Sequence, residues 1–370
     1  MITISLCMIV RDEEAVLARC LASAREVADE IIIVDTGSLD ATRDIARGYT
    51  DKIYDFAWID DFAAARNASF SYATKDYVMW LDADDVLLPE DAAKLRKLKE
   101  TLLPDADTVM MKYNIAFDEQ GKPTFSYFRE RLLRRGPQAV WEGAIHEVIT
   151  PFGKILHEDV AVTHRRKEHT DPQRNLKLFE RMIASGKVLS PREQFYYARE
   201  LYYNARYQEA AAMFDRFLDE GKGWIENNIE ACRILGQCAA ALQDADRTRK
   251  ALVRSFTYDA PRAELCCEMG YYYFVRQQYP QAMWWYRAAL LCSRNDTSGA
   301  FTLEDCYGYL PYLQLCVCYD RLGQRDLAVA CNEQAGRIRP QSAAYLHNKT
   351  YFSGGEDAAG KSSPAGAQRS

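Results

Sequence analysis

The sequence predicts an α/β domain followed by an all-α domain of helical repeats, on three observations. Strand-like and helix-like segments alternate from Met1 to about Ala116; the apolar run Tyr77–Leu81 passes straight into Asp82, Asp84 and Asp85; and one short motif recurs along the second half. At 370 residues the chain can bury two separate cores. The expected boundaries are 1–165 for the α/β domain, 166–345 for the repeats, and 346–370 for a tail that ends rich in Gly, Ala and Ser and is expected to be disordered.

Thr3–Val10 is apolar almost throughout, which suits a strand covered on both faces. Glu13–Arg25 has helical spacing, and Glu30–Asp35 is a second buried strand closed by Thr36-Gly37-Ser38. A short helix over Asp40–Arg47, a short strand over Lys52–Phe56 and a helix over Phe62–Ala73 lead to the strand at Tyr77. Such alternation builds a mostly parallel sheet with right-handed crossovers, whose ligands bind beyond the carboxyl ends of the strands. Arg11, Asp12, Asp35, Asp82 and Asp84 all fall at those ends. Farther on, Thr108–Phe117, Tyr127–Leu133 and Val160–Thr163 are strand-like pieces separated by Gly121-Lys122-Pro123, Gly136-Pro137 and Pro151-Phe152-Gly153, which predict hairpins rather than crossovers.

After His164 the pattern is helical to about Arg339. Tyr207-Gln208-Glu209-Ala210 with Phe214 recurs as Tyr279-Pro280-Gln281-Ala282 with Tyr286, and more weakly as Arg325-Asp326-Leu327-Ala328 with Asn332. The first two copies stand about two 34-residue helix-pair periods apart, leaving room for a degenerate copy near Gly236–Pro261. Ala210, Ala282 and Ala328 would let helices approach closely, and residues 293–308 read as a loop between repeats. Tyr271–Tyr273 and Trp284–Tyr286 either line a concave groove or pack between helices, and their helical spacing favours packing.

A formal charge of −6 without a dominant Lys/Arg block argues against a nucleic-acid surface. Arg131, Arg134 and Arg135, and Arg165-Arg166-Lys167, are the compact basic clusters; they read as solvated surface, with a phosphate contact as the alternative. The apolar start meets Arg11-Asp12-Glu13-Glu14 too soon for a signal peptide, and no stretch approaches the roughly 20 apolar residues of a membrane span. Nine of the eleven cysteines follow residue 230 without metal-site spacing, as expected of reduced core thiols in a cytoplasmic protein.

Adjoining carboxylates repel unless a hard cation holds them, so Asp82 and Asp84 are expected to share Mg²⁺ or Mn²⁺ with the oxygens of a diphosphate. The alternative is that Asp84-Asp85 only begin a turn before the helix at Pro89-Glu90-Asp91. For a nucleotide donor, Asp35 could accept from base or ribose, Arg66 and Asn67 could reach base or phosphate, and Arg11 ends the first strand beside them. Neither common glycine-rich phosphate loop is present. His164 ends a strand and belongs either to the site or to the domain junction.

Ile4–Glu14, Ile31–Thr42, Asp61–Asn67, Trp80–Asp85 and Trp141-Glu142-Gly143-Ala144-Ile145-His146-Glu147, in this order and spacing, resemble the successive motifs of bacterial family 2 glycosyltransferases over residues 1–165. The helices that follow resemble the tetratricopeptide extension of one branch, which includes peptide S/O-glycosyltransferases of the sublancin type. The resemblance implies a GT-A fold and a metal-dependent, inverting transfer of a hexose from a nucleotide sugar, a UDP-sugar above all, to a peptide or protein acceptor held by the repeats. It also implies Glu147 as the catalytic base, with Glu142 its rival, His146 as a third metal ligand or an acceptor contact, and Trp141 as a stacking surface for the sugar or an anchor for the second domain. A transferase of lipopolysaccharide core or another surface glycan is the alternative within the family, and a repeat scaffold with an inactive first domain is the alternative outside it. The Gln-x-x-Arg-Trp motif and membrane helices of processive members are missing, which argues against a polysaccharide synthase. A homodimer is compatible with repeat helices of this kind.

Overall fold

The computed structural model describes residues 1–117, 121, 123–165, 171–294, 299 and 301–354, which fall into two compact units that meet in sequence at Tyr196 and Tyr197. Arg166, Lys167, Lys122 and residues 355–370, on which expectations were placed, lie outside the described residues. Among the described residues no helix is long and apolar enough to cross a membrane.

The first unit contains strands β1 (Ile4–Val10), β2 (Glu30–Asp35), β3 (Ile53–Asp55), β4 (Tyr77–Trp80), β5 (Asp85–Val86), β6 (Thr108–Phe117), β7 (Pro123–Arg134) and β8 (Ile155–His164). Its helices are α1 (Leu17–Ala24), α2 (Thr42–Arg47), α3 (Phe62–Ser71), α4 (Pro89–Thr101) and α5 (Arg174–Ala184). The strands form one sheet in the order β3-β2-β1-β4-β7-β6-β8-β5. β1, β2, β3 and β4 run parallel, which brings the carboxyl ends of β1, β2 and β4 to one edge. β2 is buried along its whole length and β1 at all but one residue, because apolar clusters lie on both faces of the sheet.

α1 begins four residues later than its spacing predicts. Asp12, Glu13 and Glu14 are instead tied to the start of α2: the Leu39 amide donates to Asp12, the Ala41 amide to Glu14, and the Glu13 amide to the Thr42 hydroxyl. These long-range bonds hold the loop after β1 in an irregular form, with Asp12 at φ 52°. The hairpin expectation holds for β6 and β7, which pair antiparallel, but β8 runs parallel to β6. The long connection from Arg135 to Lys154 is what lets the chain cross back.

From α6 (Pro191–Tyr203), which runs across the division, the chain is helical: α7 (Tyr207–Glu220), α8 (Ile225–Ala241), α9 (Ala245–Arg254), α10 (Ala263–Phe274), α11 (Tyr279–Leu291), α12 (Tyr309–Arg321), α13 (Arg325–Ile338) and α14 (Ala343–Phe352). The recurring motif starts α7, α11 and α13, and α9 is the degenerate copy. One constant spacing relates Ala198 to Ala210, Gly236 to Thr248, Gly270 to Ala282 and Cys316 to Ala328, and all eight residues are buried. At the two glycines the approach leaves no room for a side chain: a Cβ on Gly270 would lie 2.6 Å from the Tyr286 ring, and one on Gly236 would lie 2.8 Å from Leu252. Tyr286 is therefore core, 1% exposed, whereas Trp284 is 61% exposed. The interval from Ala282 to Ala328 is the longest because it holds residues 293–308, with a 3₁₀ turn at Glu304–Tyr307. The expected tail is corrected at its start, since α14 continues to Phe352, capped by the Ser342 side chain and packed through Tyr345 against Gly336. All eleven cysteines are free thiols, nine of them buried.

Candidate active site

β4 delivers Asp82, Asp84 and Asp85 to the edge where β1 and β2 end. The three acids meet different partners. Asp82 accepts from Arg66 Nη2 at 2.6 Å. Arg66 Nε donates to Glu147 at 2.6 Å, so one guanidinium joins a carboxylate after β4 to one from the Trp141–Glu147 segment. Arg66 is 7% exposed and lies over the rings of Trp80 and Trp141, at 5.2 and 4.8 Å. Burial works against the charge on Asp82, but Arg66 and then Arg131 override it and hold its carboxyl at about 2.

Asp84, Asp85 and His164 offer ligand atoms that all lie within 4.8 Å of one another. Asp85 and His164 are cross-strand partners of β5 and β8, which brings together residues far apart in sequence. Asp85 is fully buried. Its carboxylate accepts from Arg131 Nη1 at 3.1 Å, from the Tyr113 hydroxyl at 2.9 Å and from the Asp82 amide at 3.1 Å. Arg131, also fully buried, stacks on Trp80 at 3.7 Å and Tyr113 at 4.4 Å. It occupies an irregularity of the β6–β7 ladder, where Val109 faces Leu132 but Met110 faces Glu130, and a bulge of this kind re-aims a side chain. The surface reading of Arg131 is thereby corrected. Burial raises the Asp84 carboxyl above the ordinary range; the Asp82 and Asp85 charges add to this and His164 opposes it. Burial would lower the His164 imidazole, yet its hydrogen bond to Asp85 and the charges of Asp84 and Asp85 outweigh this and raise it.

The expected Asp82/Asp84 pair is thus divided: Asp84 joins Asp85 and His164, while Asp82 is ion-paired to Arg66. Asn67 and Trp141, expected at the donor, are bound to each other. The Asn67 amide donates to the Trp141 carbonyl at 2.9 Å and its oxygen accepts the Trp141 amide at 2.8 Å, and the indole is 3% exposed, packed on Trp80 and Phe70. No sugar can stack on a face so enclosed. Arg66 is likewise engaged on both sides. Asp35 is buried at the end of β2, accepting from Ser38 and from Arg43 at 3.4 Å, whereas Arg11 is half exposed beside Asp12. His146 has φ 54° and stacks on Tyr196 at 4.2 Å, whereas the histidine grouped with Asp84 and Asp85 among the described residues is His164. Tyr113 and Arg131 are the participants that sequence reasoning missed. The available signal is that Arg131 runs directly into Leu132-Leu133 within a strand-like stretch, three and four residues before Arg134 and Arg135.

Residues 5–161 match the model of Glycosyl transferase family 2. A TPR repeat-containing protein of Synechococcus elongatus is 39% identical over 150 residues, 40% of this chain and 36% of that protein. The SPbeta prophage-derived glycosyltransferase SunS of Bacillus subtilis is 28% identical over 258 residues, 65% of this chain and 59% of that protein. The chain therefore spans less than two thirds of the length of either relative. Among solved structures, YrrB, a TPR protein with an unusual peptide-binding site, superposes over 48% of this chain and 84% of its own at 16% identity, with a TM-score of 0.37. The matched strand ends carry the acids described above, so the stretch similar to Glycosyl transferase family 2 is the mixed α/β unit that holds the acid cluster, and helix pairs follow it in the chain.

Proposed function

We propose that the chain is an inverting glycosyltransferase that moves a hexose from a UDP-sugar to a peptide or protein acceptor. The observation that carries this reading is the arrangement around Arg66: the Asp82 side of the acid cluster and Glu147 are bound to one guanidinium. In such a reaction the acceptor attacks the anomeric carbon, the bond from that carbon to the diphosphate breaks, and a base takes the acceptor's proton. Glu147 is the proposed base, 12% exposed and fixed by Arg66, and Asp35 and Arg11 are the proposed donor contacts at the ends of β2 and β1.

Two carboxylates and an imidazole within 4.8 Å suit Mg²⁺ or Mn²⁺. Asp84 and His164 would hold it, since Asp85 already has three partners, and bound there a divalent cation would neutralise charge on the departing diphosphate. The acceptor is proposed to engage the helical unit, where a cavity of about 500 Å³ is lined by Glu226, Glu230, Glu264, Leu265, Leu291 and Tyr307.

The test is a panel of nucleotide sugars with the full chain, peptides and lipid-linked sugars serving as acceptors in separate arms. Transfer to peptide from a UDP-sugar, abolished by EDTA and by Asp84→Ala, is expected. Transfer only to the lipid-linked sugars would replace the peptide reading with the surface-glycan one, and turnover that survives both EDTA and Asp84→Ala would overturn the cation site.

A further inference from the structure

We propose that Tyr113 fixes His164 as the tautomer protonated on Nδ1, so that Nε2 is the nitrogen His164 presents to a ligand. Only the consequence for a ligand rests on the reading of Asp84 and His164 as a cation site; the tautomer itself follows from the hydrogen bonds of this chain.

The argument begins at Asp85. Its carboxylate is a pure acceptor, paired with Arg131 and also accepting the Asp82 amide. The Tyr113 oxygen stands 2.9 Å from Asp85 Oδ1, a separation that two oxygens hold only with a proton between them, and the carboxylate has none to give. Tyr113 therefore donates its one proton to Asp85. The same phenol oxygen lies 3.0 Å from His164 Nδ1, and with its proton committed it can only accept there. Asp85 Oδ1 at 3.4 Å and Asp84 Oδ1 at 3.5 Å also face Nδ1. A bare lone pair on Nδ1 would point at three acceptor oxygens, whereas an N–H satisfies the nearest and is attracted by the other two.

The phenol has little freedom to do otherwise. Tyr113 is 7% exposed, its ring is covered by the Arg131 guanidinium at 4.4 Å and met edge-on by His164 at 5.8 Å, and Asp85 is held from its other side by Arg131. Arg131, Asp85, Tyr113 and His164 thus form a directed chain that begins with a permanent cation and ends on a ring nitrogen. Tyr113 acts through His164 and touches no reacting group, so it is a positioning residue of the kind that orients an imidazole from behind.

The test uses the full chain labelled with ¹⁵N-histidine, freed of metal by chelation and held near pH 9, about two units above an ordinary histidine. The chain has five histidines, and His164 is assigned by the correlation lost in His164→Gln. Two-bond ¹H–¹⁵N spectra are expected to show His164 protonated on Nδ1 in the wild type, with the Nε2-protonated form gaining population in Tyr113→Phe. A wild-type ring protonated on Nε2, or an unchanged tautomer population in Tyr113→Phe, would overturn the proposal. The wild-type measurement needs no variant, so it stands even if Tyr113→Phe folds poorly.

Mn²⁺ titration followed by electron paramagnetic resonance supplies the second readout. Tyr113→Phe is expected to bind Mn²⁺ about 10-fold more weakly, and wild-type affinity in the variant would remove the positioning role. Should the wild-type chain take up no Mn²⁺, the cation-site reading fails, and the spectra still decide the tautomer.

Discussion

Arg66 Nε lies 2.6 Å from Glu147 Oε1, and the same guanidinium binds Asp82 through Nη2, so the proposed base and the acid cluster share one rigid connector. The planar fork between two tryptophan rings fixes both carboxylates at once, which a lysine ammonium on a flexible stem cannot do. Arg66→Lys is therefore expected to lower kcat by about 100-fold while the chain stays folded, as a small misplacement of a reacting group does. Arg66→Ala, which strands two carboxylates in a buried setting, is expected to cost about 3–5 kcal/mol of stability. Steady-state kinetics and urea unfolding separate the two; a rise in donor KM with kcat untouched in Arg66→Lys would make Arg66 a donor contact instead.

Asn67 tests whether a motif residue serves the fold or the donor. Both ends of its amide are bonded to the Trp141 backbone. Asn67→Ala leaves the buried amide and carbonyl of Trp141 without partners, at an expected cost of about 1–3 kcal/mol. Calorimetric affinity for the nucleotide sugar is expected to match the wild type. A large loss of donor affinity at unchanged stability would restore Asn67 to the binding site.

The contrast between these two residues shows what the sequence could and could not tell. Apolar runs without alternation located β1 and β2 because doubly covered strands leave that trace, and the recurring small residues at Ala210, Ala282 and Ala328 located the helix pairs because close approach demands them. Motif spacing gathered Arg66, Asn67, Asp82, Asp84, Trp141 and Glu147 into one region. It could not say that Trp141 faces inward, that Arg66 is neutralised twice, or that His164 pairs with Asp85 across the sheet, because these depend on register and side-chain direction between distant segments. Arg131 was illegible for a similar reason: an irregularity in the ladder, invisible in the pattern, turns it into the core.

Glu30 gives the fold a defined acid limit. Burial works against its carboxylate, but Lys52, Ser5 and Thr74 bond to it and hold it down at about 2. A depressed carboxyl adds stability that is complete above the unfolded value, near 4.5, and is lost as pH falls from there toward 2. The contribution at neutral pH is about 3 kcal/mol. Glu30→Gln is expected to be less stable than the wild type at pH 7, with the gap closing as both are acidified. Urea midpoints at stepped pH check this, and a gap that stays constant down to pH 3 would show that hydrogen bonding, not charge, is what Glu30 supplies.

The helix pairs predict opposite signs for two changes at neighbouring positions. The turn before each second helix passes through a left-handed residue: Ala205, Gln243 and Gln277 at φ 57°, 60° and 57°, and Gly323 at 72°. Only the last is a residue for which that conformation is free of Cβ strain. Gln277 is exposed, so Gln277→Gly removes strain without removing packing, and about 0.5 kcal/mol of stabilisation is expected once the added freedom of the unfolded chain is subtracted. Gly270 faces the reverse situation. It sits in α10 with the Tyr286 ring where a methyl group would go, so Gly270→Ala is expected to cost about 1–3 kcal/mol by forcing the ring aside. Gly323→Ala, placing a Cβ in a left-handed turn, is expected to destabilise by about 1 kcal/mol. Equilibrium urea unfolding of the three variants reads all the signs together. A destabilised Gln277→Gly would mean that the glutamine side chain holds the turn, and a neutral Gly270→Ala would mean that α10 and α11 are free to separate.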